Sequence, residues 1–137
     1  MDFLNQLKKH INENLNLPFQ MKIGYLDDQE SLVVYTLPGS SVKRVYYDGT
    51  RELTLNIEIA IKSKQGQLAE ESLWQIASLL EVLEDLPSAN ESFELEDIEV
   101  TSRPFMNEVH EQGWLVFLLN AKVNITQLKE NRSYGKA

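Results

Sequence analysis

The strongest constraint on the fold is one stretch in which a strand pattern gives way to a helix pattern. Apolar residues first alternate with polar or small ones, the period of a strand with one buried face: Leu53, Leu55, Ile57, Ile59 and Ile61 against Thr54, Asn56, Glu58, Ala60 and Lys62. Apolar residues then recur every three or four positions, which predicts an amphipathic helix: Ala69, Leu73, Ile76, Leu80 and Leu83. Pro87 cannot continue this helix. The stretch therefore predicts a helix packed on a sheet.

The neighbouring segments add further elements to this core. Asp48-Gly49 has the chemistry of a hairpin turn, so Val42–Tyr47 is predicted to pair with Glu52–Lys62. Asp2 is predicted to cap a first helix whose apolar side includes Leu7 and Ile11. The remaining predictions are strands at Phe19–Tyr25, Ser31–Leu37, Phe93–Thr101 and Trp114–Ile125, and a long turn from Arg103 to Gly113.

These elements predict an α+β fold with a single, mostly antiparallel sheet. About five strands are joined by short turns instead of repeated helical crossovers, and the two helices pack on one face of the sheet. The length of 137 residues fits one domain, assigned to residues 1–128. Residues 129–137 contain almost no apolar side chains and are predicted to form a flexible C-terminal tail.

Negative charge is concentrated in the second half of the chain. The net charge is −8, and the segment from Glu81 to Glu99 contains eight acids and no base. These acids are Glu81, Glu84, Asp85, Glu91, Glu94, Glu96, Asp97 and Glu99. Such a charge argues against tight nucleic-acid binding, because that affinity comes chiefly from Lys and Arg on phosphates. The run is either a solvated surface or one that repels DNA or attracts a basic partner.

No combination of residues points to catalysis, a metal or a cofactor. The chain has no cysteine and two distant histidines, His10 and His110. Glu108 and Glu111 accompany His110, but not at the spacing of a helical metal site. The sequence therefore predicts a protein that is not an enzyme and binds no cofactor. The alternative from another class is a small-ligand-binding α+β domain that uses the 27–28 turn (Asp27, Asp28) or the His110 loop.

The sequence contains no feature typical of a membrane protein. No apolar run reaches the roughly 18–20 residues of a membrane-spanning helix. The first residues, Met1-Asp2-Phe3, lack the basic and apolar regions of a signal peptide. We therefore expect no membrane contact and a cytoplasmic location.

Two features favour a protein that assembles. On a helical wheel, Trp74 falls on the polar side of the second helix, and an aromatic in such a position is typical of protein interfaces. The alternative is that the Pro87–Ser92 loop or the first helix covers Trp74. In the last strand, Trp114, Val116 and Leu118 lie on the face predicted to be wet. Either another element of the same chain or another subunit covers that face. These four residues are the predicted subunit interface.

A family resemblance rests on two segments, the predicted hairpin and the second predicted helix. A hairpin and a helix of this chain resemble those of the minor capsid proteins of long-tailed phages and prophages of Gram-positive bacteria. The hairpin is Tyr46-Tyr47-Asp48-Gly49-Thr50-Arg51-Glu52-Leu53, and the helix runs from Leu68 to Leu86 and contains Leu73-Trp74-Gln75-Ile76. The order of elements over Met1 to Leu128 is similar to that of phage tail-terminator proteins.

The resemblance implies a structural role in a virion assembled in the cytoplasm of the host bacterium. Tail terminators form a ring, typically hexameric, that stops growth of the tail tube and joins the head connector. The expected partners are therefore other copies of the chain, the tail tube and the head connector. The acids from Glu81 to Glu99 would face the ring lumen or one side of the ring. A head-completion connector protein is the alternative in the same setting.

Overall fold

The computed structural model describes residues 1–128, and the predicted tail 129–137 lies outside them. Two helices and six strands follow one another: α1 (Phe3–Asn14), β1 (Met21–Ile23), β2 (Ser31–Thr36), β3 (Ser41–Val45), β4 (Arg51–Ser63), α2 (Gly66–Glu81), β5 (Phe93–Val109) and β6 (Leu115–Gln127). A short 3-10 turn, Glu111–Gly113, joins β5 to β6. The α+β class is confirmed, and the described strands number six where about five were predicted.

The six strands form one sheet with β4 near its middle. The strand order is β1-β2-β4-β6-β5, and β3 also pairs with β4. One half of β4 pairs with β2, the other half pairs with β3, and its whole length pairs with β6. All pairings are antiparallel except β1 with β2, so the sheet is mostly antiparallel, as predicted.

The core lies between the two helices and one face of the sheet. The predicted buried face of β4 is confirmed at Ile57, Ile59 and Ile61, which are completely buried. The opposite face is not wet throughout as predicted, because Thr54 and Ala60 are buried as well. Leu73, Ile76 and Leu80 of α2 are also completely buried and belong to the same hydrophobic cluster, as does Leu7 of α1. Burying apolar side chains contributes roughly 1.5–3 kcal/mol each, so this layer is the main source of stability.

The predicted turn from Arg103 to Gly113 is wrong, because most of it belongs to a strand. β5 continues through Pro104 as far as Val109 and pairs with β6 throughout. Proline interrupts a central strand because it lacks a backbone N–H, but β5 is an edge strand, where that loss is tolerated. Irregular pairing near Ser102 and Phe105 further accommodates the proline.

Two helix ends differ from the sequence prediction. Helix α2 ends at Glu81, well before Pro87, and the following segment carries Leu86 into the core without helical structure. Asp2 does occupy the N-cap position of α1, but its side chain makes no capping hydrogen bond. Its carboxylate accepts hydrogen bonds from the loop before β5 instead, at 2.6 Å from the Ser88 hydroxyl and 2.8 Å from the Ala89 N–H. Asp2 therefore bonds to a loop distant in sequence instead of to the backbone of its own helix.

Candidate subunit interface and acidic surface

Trp74 lies on the outer side of α2, beside a shallow apolar groove. The groove runs between α2 and Leu15, the residue that follows α1. Its walls are Leu15, Trp74, Gln75, Ser78, Leu79 and Val82. Trp74 is 42% exposed and Val82 is 73% exposed. Apolar side chains of this size in a groove at the surface are typical of protein contacts.

Val116 and Leu118 lie on the face of the sheet opposite the helices, and both are buried by the described chain itself. They cluster with Val33 and Ala60, and Leu26 and Tyr35 pack over them. Leu26 belongs to the loop between β1 and β2, so this loop is the covering element. Leu118 is only 9% exposed. Of the two possibilities left by the sequence, the structure therefore shows cover from within the chain at these two positions.

Tyr35 closes one side of this second cluster. Its hydroxyl donates a hydrogen bond to the carboxylate of Glu58, on the neighbouring strand β4. Burial and the nearby Glu58 carboxylate raise the pKa of Tyr35. Tyr35 therefore remains a neutral donor and satisfies a polar group at the boundary between the apolar and polar parts of this face.

Trp114 is half-buried at the end of the sheet where β4 ends and β6 begins. The ammonium groups of Lys62 and Lys64 lie 5.4 and 5.0 Å from the centre of its ring. Both distances are within the range of cation–π attraction. Trp114 therefore has partners in its own chain, whereas Trp74 offers an open apolar surface.

The eight acids from Glu81 to Glu99 are all exposed. Glu91 lies in the loop before β5, and the other seven belong to two regions. Glu81, Glu84 and Asp85 follow one another at the C-terminal end of α2, where Glu81 forms a salt bridge of 2.9 Å with Arg103. Glu94, Glu96, Asp97 and Glu99 lie on β5 beside β6. Asp97 accepts a hydrogen bond of 2.7 Å from Asn124, and Glu96 accepts one of 2.8 Å from Thr126.

The residues considered for ligand or metal binding do not form a converging site. Among residues 1–128, no three His, Cys, Asp or Glu side chains are placed so that they could hold a metal. An open depression of about 450 Å³ does lie beside Tyr35 and His110. Its polar groups already contact each other or the backbone: Tyr35 with Glu58, His110 with Glu108 at 2.7 Å, and Lys62 with the Asp27 carbonyl at 3.1 Å. His10 contacts Asn14 on the surface of α1.

A second apolar surface was not anticipated from the sequence. The β3–β4 hairpin exposes Val42, Val45, Tyr46 and Tyr47, and the side chain of Tyr47 is fully exposed. The sequence pattern identified the turn, but the same apolar residues would also fit a strand covered by a helix. In the described structure every residue of β3 is exposed.

Comparison with known proteins identifies one family. A family model described as "Bacteriophage tail terminator protein" matches residues 10–127, and this range contains the hairpin, the three strands of the second cluster and all eight acids. No curated protein matches the chain. No helix among the described residues is long and apolar enough to cross a membrane.

Proposed function

Because the chain belongs to the bacteriophage tail terminator family, we propose that it forms a ring of identical subunits at the head-proximal end of a phage tail. The ring is hexameric, stops growth of the tail tube and joins the head connector. Its subunits assemble in the cytoplasm of the host bacterium. The family match over residues 10–127 is the observation that carries this proposal.

The exposed groove at Trp74 supports assembly. In a closed ring, each subunit presents one surface to one neighbour and a different, complementary surface to the other neighbour. Trp74 is the central residue of the proposed interface, and Trp114 adds a second aromatic at the end of the sheet. Val116 and Leu118 lie on the opposite face of the sheet from Trp74 and are covered by Leu26 and Tyr35. A neighbouring subunit at that face would therefore contact this cover and not the two side chains themselves.

The acidic surface supports passage of DNA through the ring. Carboxylates repel phosphates, so acids on the lumen or on one ring face would keep DNA from adhering. The eight acids from Glu81 to Glu99 are exposed and are therefore available for this role. A chain that closes the tail must allow DNA to move, and weak nucleic-acid binding serves that requirement.

Tail assembly without the protein tests the proposal. Tube subunits of the same phage are polymerised with and without this chain, and tube lengths are measured by electron microscopy. We expect added protein to arrest growth and to label one end of each tube. The Trp74→Ala variant is expected to fail, and Val109→Ala, altered at another exposed apolar side chain, is expected to act as wild type.

Two results would contradict the terminator role. Unchanged tube lengths with added wild-type protein would reject arrest of growth. Binding of the protein to purified head connectors but not to tubes would favour the alternative, a head-completion connector protein. The Trp74→Ala variant must retain its far-ultraviolet circular dichroism spectrum for its failure to count as loss of assembly.

A further inference from the structure

Two of the exposed apolar surfaces on the described residues differ in shape. The groove beside Trp74 is a shallow depression, and its exposed large apolar side chains are Trp74 and Val82. The β3–β4 hairpin projects its apolar side chains outward, with Val45 and Tyr47 largely or fully exposed. A ring with rotational symmetry needs two different complementary patches on each subunit, one for each neighbour. A groove and a projecting hairpin satisfy that requirement.

The hairpin tip is held in one conformation before any partner binds. The Tyr46 N–H donates to the Thr50 carbonyl at 2.8 Å, and the Gly49 N–H donates to the Tyr46 carbonyl at 3.0 Å. The Asp48 carboxylate accepts from the Thr50 N–H and hydroxyl at 3.0 and 2.8 Å. Gly49 has a φ of 93°, which glycine adopts without strain. An ordered tip loses less conformational entropy on docking.

The hairpin and the segment that contains the groove helix differ in charge. The hairpin carries three bases, Lys43, Arg44 and Arg51, against the acids Asp48 and Glu52. The segment from residue 65 to residue 102, which includes α2, contains ten acids and no base. Glu71 lies one helical turn before Trp74 and Gln75, so it neighbours these two groove residues on the surface of α2. Opposite charges at the rim of an interface favour encounter and fix its orientation.

We propose that the β3–β4 hairpin of one subunit docks into the groove beside Trp74 of the next subunit. Tyr47 and Val45 pack against Trp74 and Val82, while the bases of the hairpin face the acids of α2. This inference rests on the proposed ring and identifies the contact that repeats around it. The occupant of the groove is therefore a second copy of this chain.

Cross-linking between introduced cysteines tests the contact, because the chain has no cysteine of its own. The double variant Tyr47→Cys/Val82→Cys is treated with a short bis-maleimide and examined on a denaturing gel. We expect a ladder of linked chains whose last band gives the number of subunits in the ring. The matched control is Tyr25→Cys/Val82→Cys, since Tyr25 is also a largely exposed tyrosine but belongs to the loop between β1 and β2.

The outcomes separate this contact from the ring itself. Wild-type mass is measured by light scattering at the same concentrations. An oligomer without a ladder, or an equal ladder in the control, overturns the docking and leaves the ring proposal standing. A monomer at every concentration, with no ladder, overturns self-docking, and the tube-length assay then decides the terminator role separately.

Charge reversal provides a second, independent test. Arg44→Glu is expected to shift the oligomer to higher dissociation concentrations, and adding Glu71→Arg to the same chain is expected to restore assembly. Both residues are exposed, so the fold is expected to persist. Loss of assembly in the single variant without recovery in the double variant would reject the proposed orientation of the hairpin.

Discussion

Asp2 shows how one side chain can hold two distant parts of this chain together. Its carboxylate is buried and accepts hydrogen bonds from the Ser88 and Ser92 hydroxyls and from the N–H groups of Ala89 and Asn90. Burial alone would raise the pKa of Asp2, but these hydrogen bonds outweigh it and hold the pKa below its ordinary value. The start of α1 is thus attached to the loop that leads into β5.

Replacement of Asp2 is predicted to lower the stability of the fold and also to reduce the pH dependence of that stability in acid. Asp2→Asn should lower the free energy of unfolding by roughly 1–3 kcal/mol, since several hydrogen bonds to a charged acceptor are lost. The Asp2 contribution is complete above the pKa of the unfolded chain and disappears as the pH falls through the lowered folded pKa. Urea unfolding across this acid range should show less pH dependence in Asp2→Asn. Asp28→Asn, altered at an exposed acid, is the control.

Truncation is predicted to affect different properties at Leu118 and Trp74: mainly the stability of the fold at Leu118, and mainly assembly at Trp74. Leu118→Ala should cost about 2–3 kcal/mol of stability, because it leaves a cavity in the second cluster. Trp74→Ala should cost about 1 kcal/mol or less in the monomer and weaken assembly, because the side chain borders an open groove. Thermal melting and light scattering separate the two effects. A large stability loss in Trp74→Ala would show that this residue serves the fold instead of a partner.

The β3–β4 hairpin depends on a turn that only certain residues adopt. Gly49→Ala should destabilise the tip by about 1–2 kcal/mol, because a φ of 93° brings Cβ close to the backbone. Amide hydrogen exchange should accelerate at Tyr46, whose N–H bonds across the turn, and remain unchanged in α2. If the hairpin docks on a neighbour, the same variant should assemble more weakly although the groove is intact. Normal assembly with a loosened hairpin would argue against that role.

Sequence patterns succeeded for elements with one buried face and failed where tertiary surroundings decide. The alternation from Leu53 to Ile61 requires a strand whatever packs against it, so β4 was predictable. The acids and Pro104 of β5 disfavour a strand locally, and only pairing with β6 keeps this segment extended. The cover of Val116 by Leu26 depends on the path of a loop, which no periodicity encodes. For the same reason, the exposure of the hairpin was not visible in its residues.

Charge over the entire chain is predicted to matter for DNA movement more than for folding. Glu84→Lys/Asp85→Lys/Glu94→Lys changes the net charge from −8 to −2, because each replacement adds two charges. All three side chains are exposed, so the melting temperature should change little. In assembled particles, DNA release should slow if these acids face the lumen. Glu13→Lys/Asp28→Lys/Glu111→Lys changes the charge equally elsewhere, and equal slowing in both variants would reject a lumenal position.

The central claim is that copies of this chain close the tail as a ring. A reconstruction of the head-proximal tail end by electron microscopy tests it most directly, because the model of residues 1–128 can be placed in the density. The account predicts a closed ring of this fold on the last layer of the tube, with each Trp74 groove filled by the neighbouring hairpin. Density for this fold only within the head connector, or no copy of it at the tail end, would contradict the account.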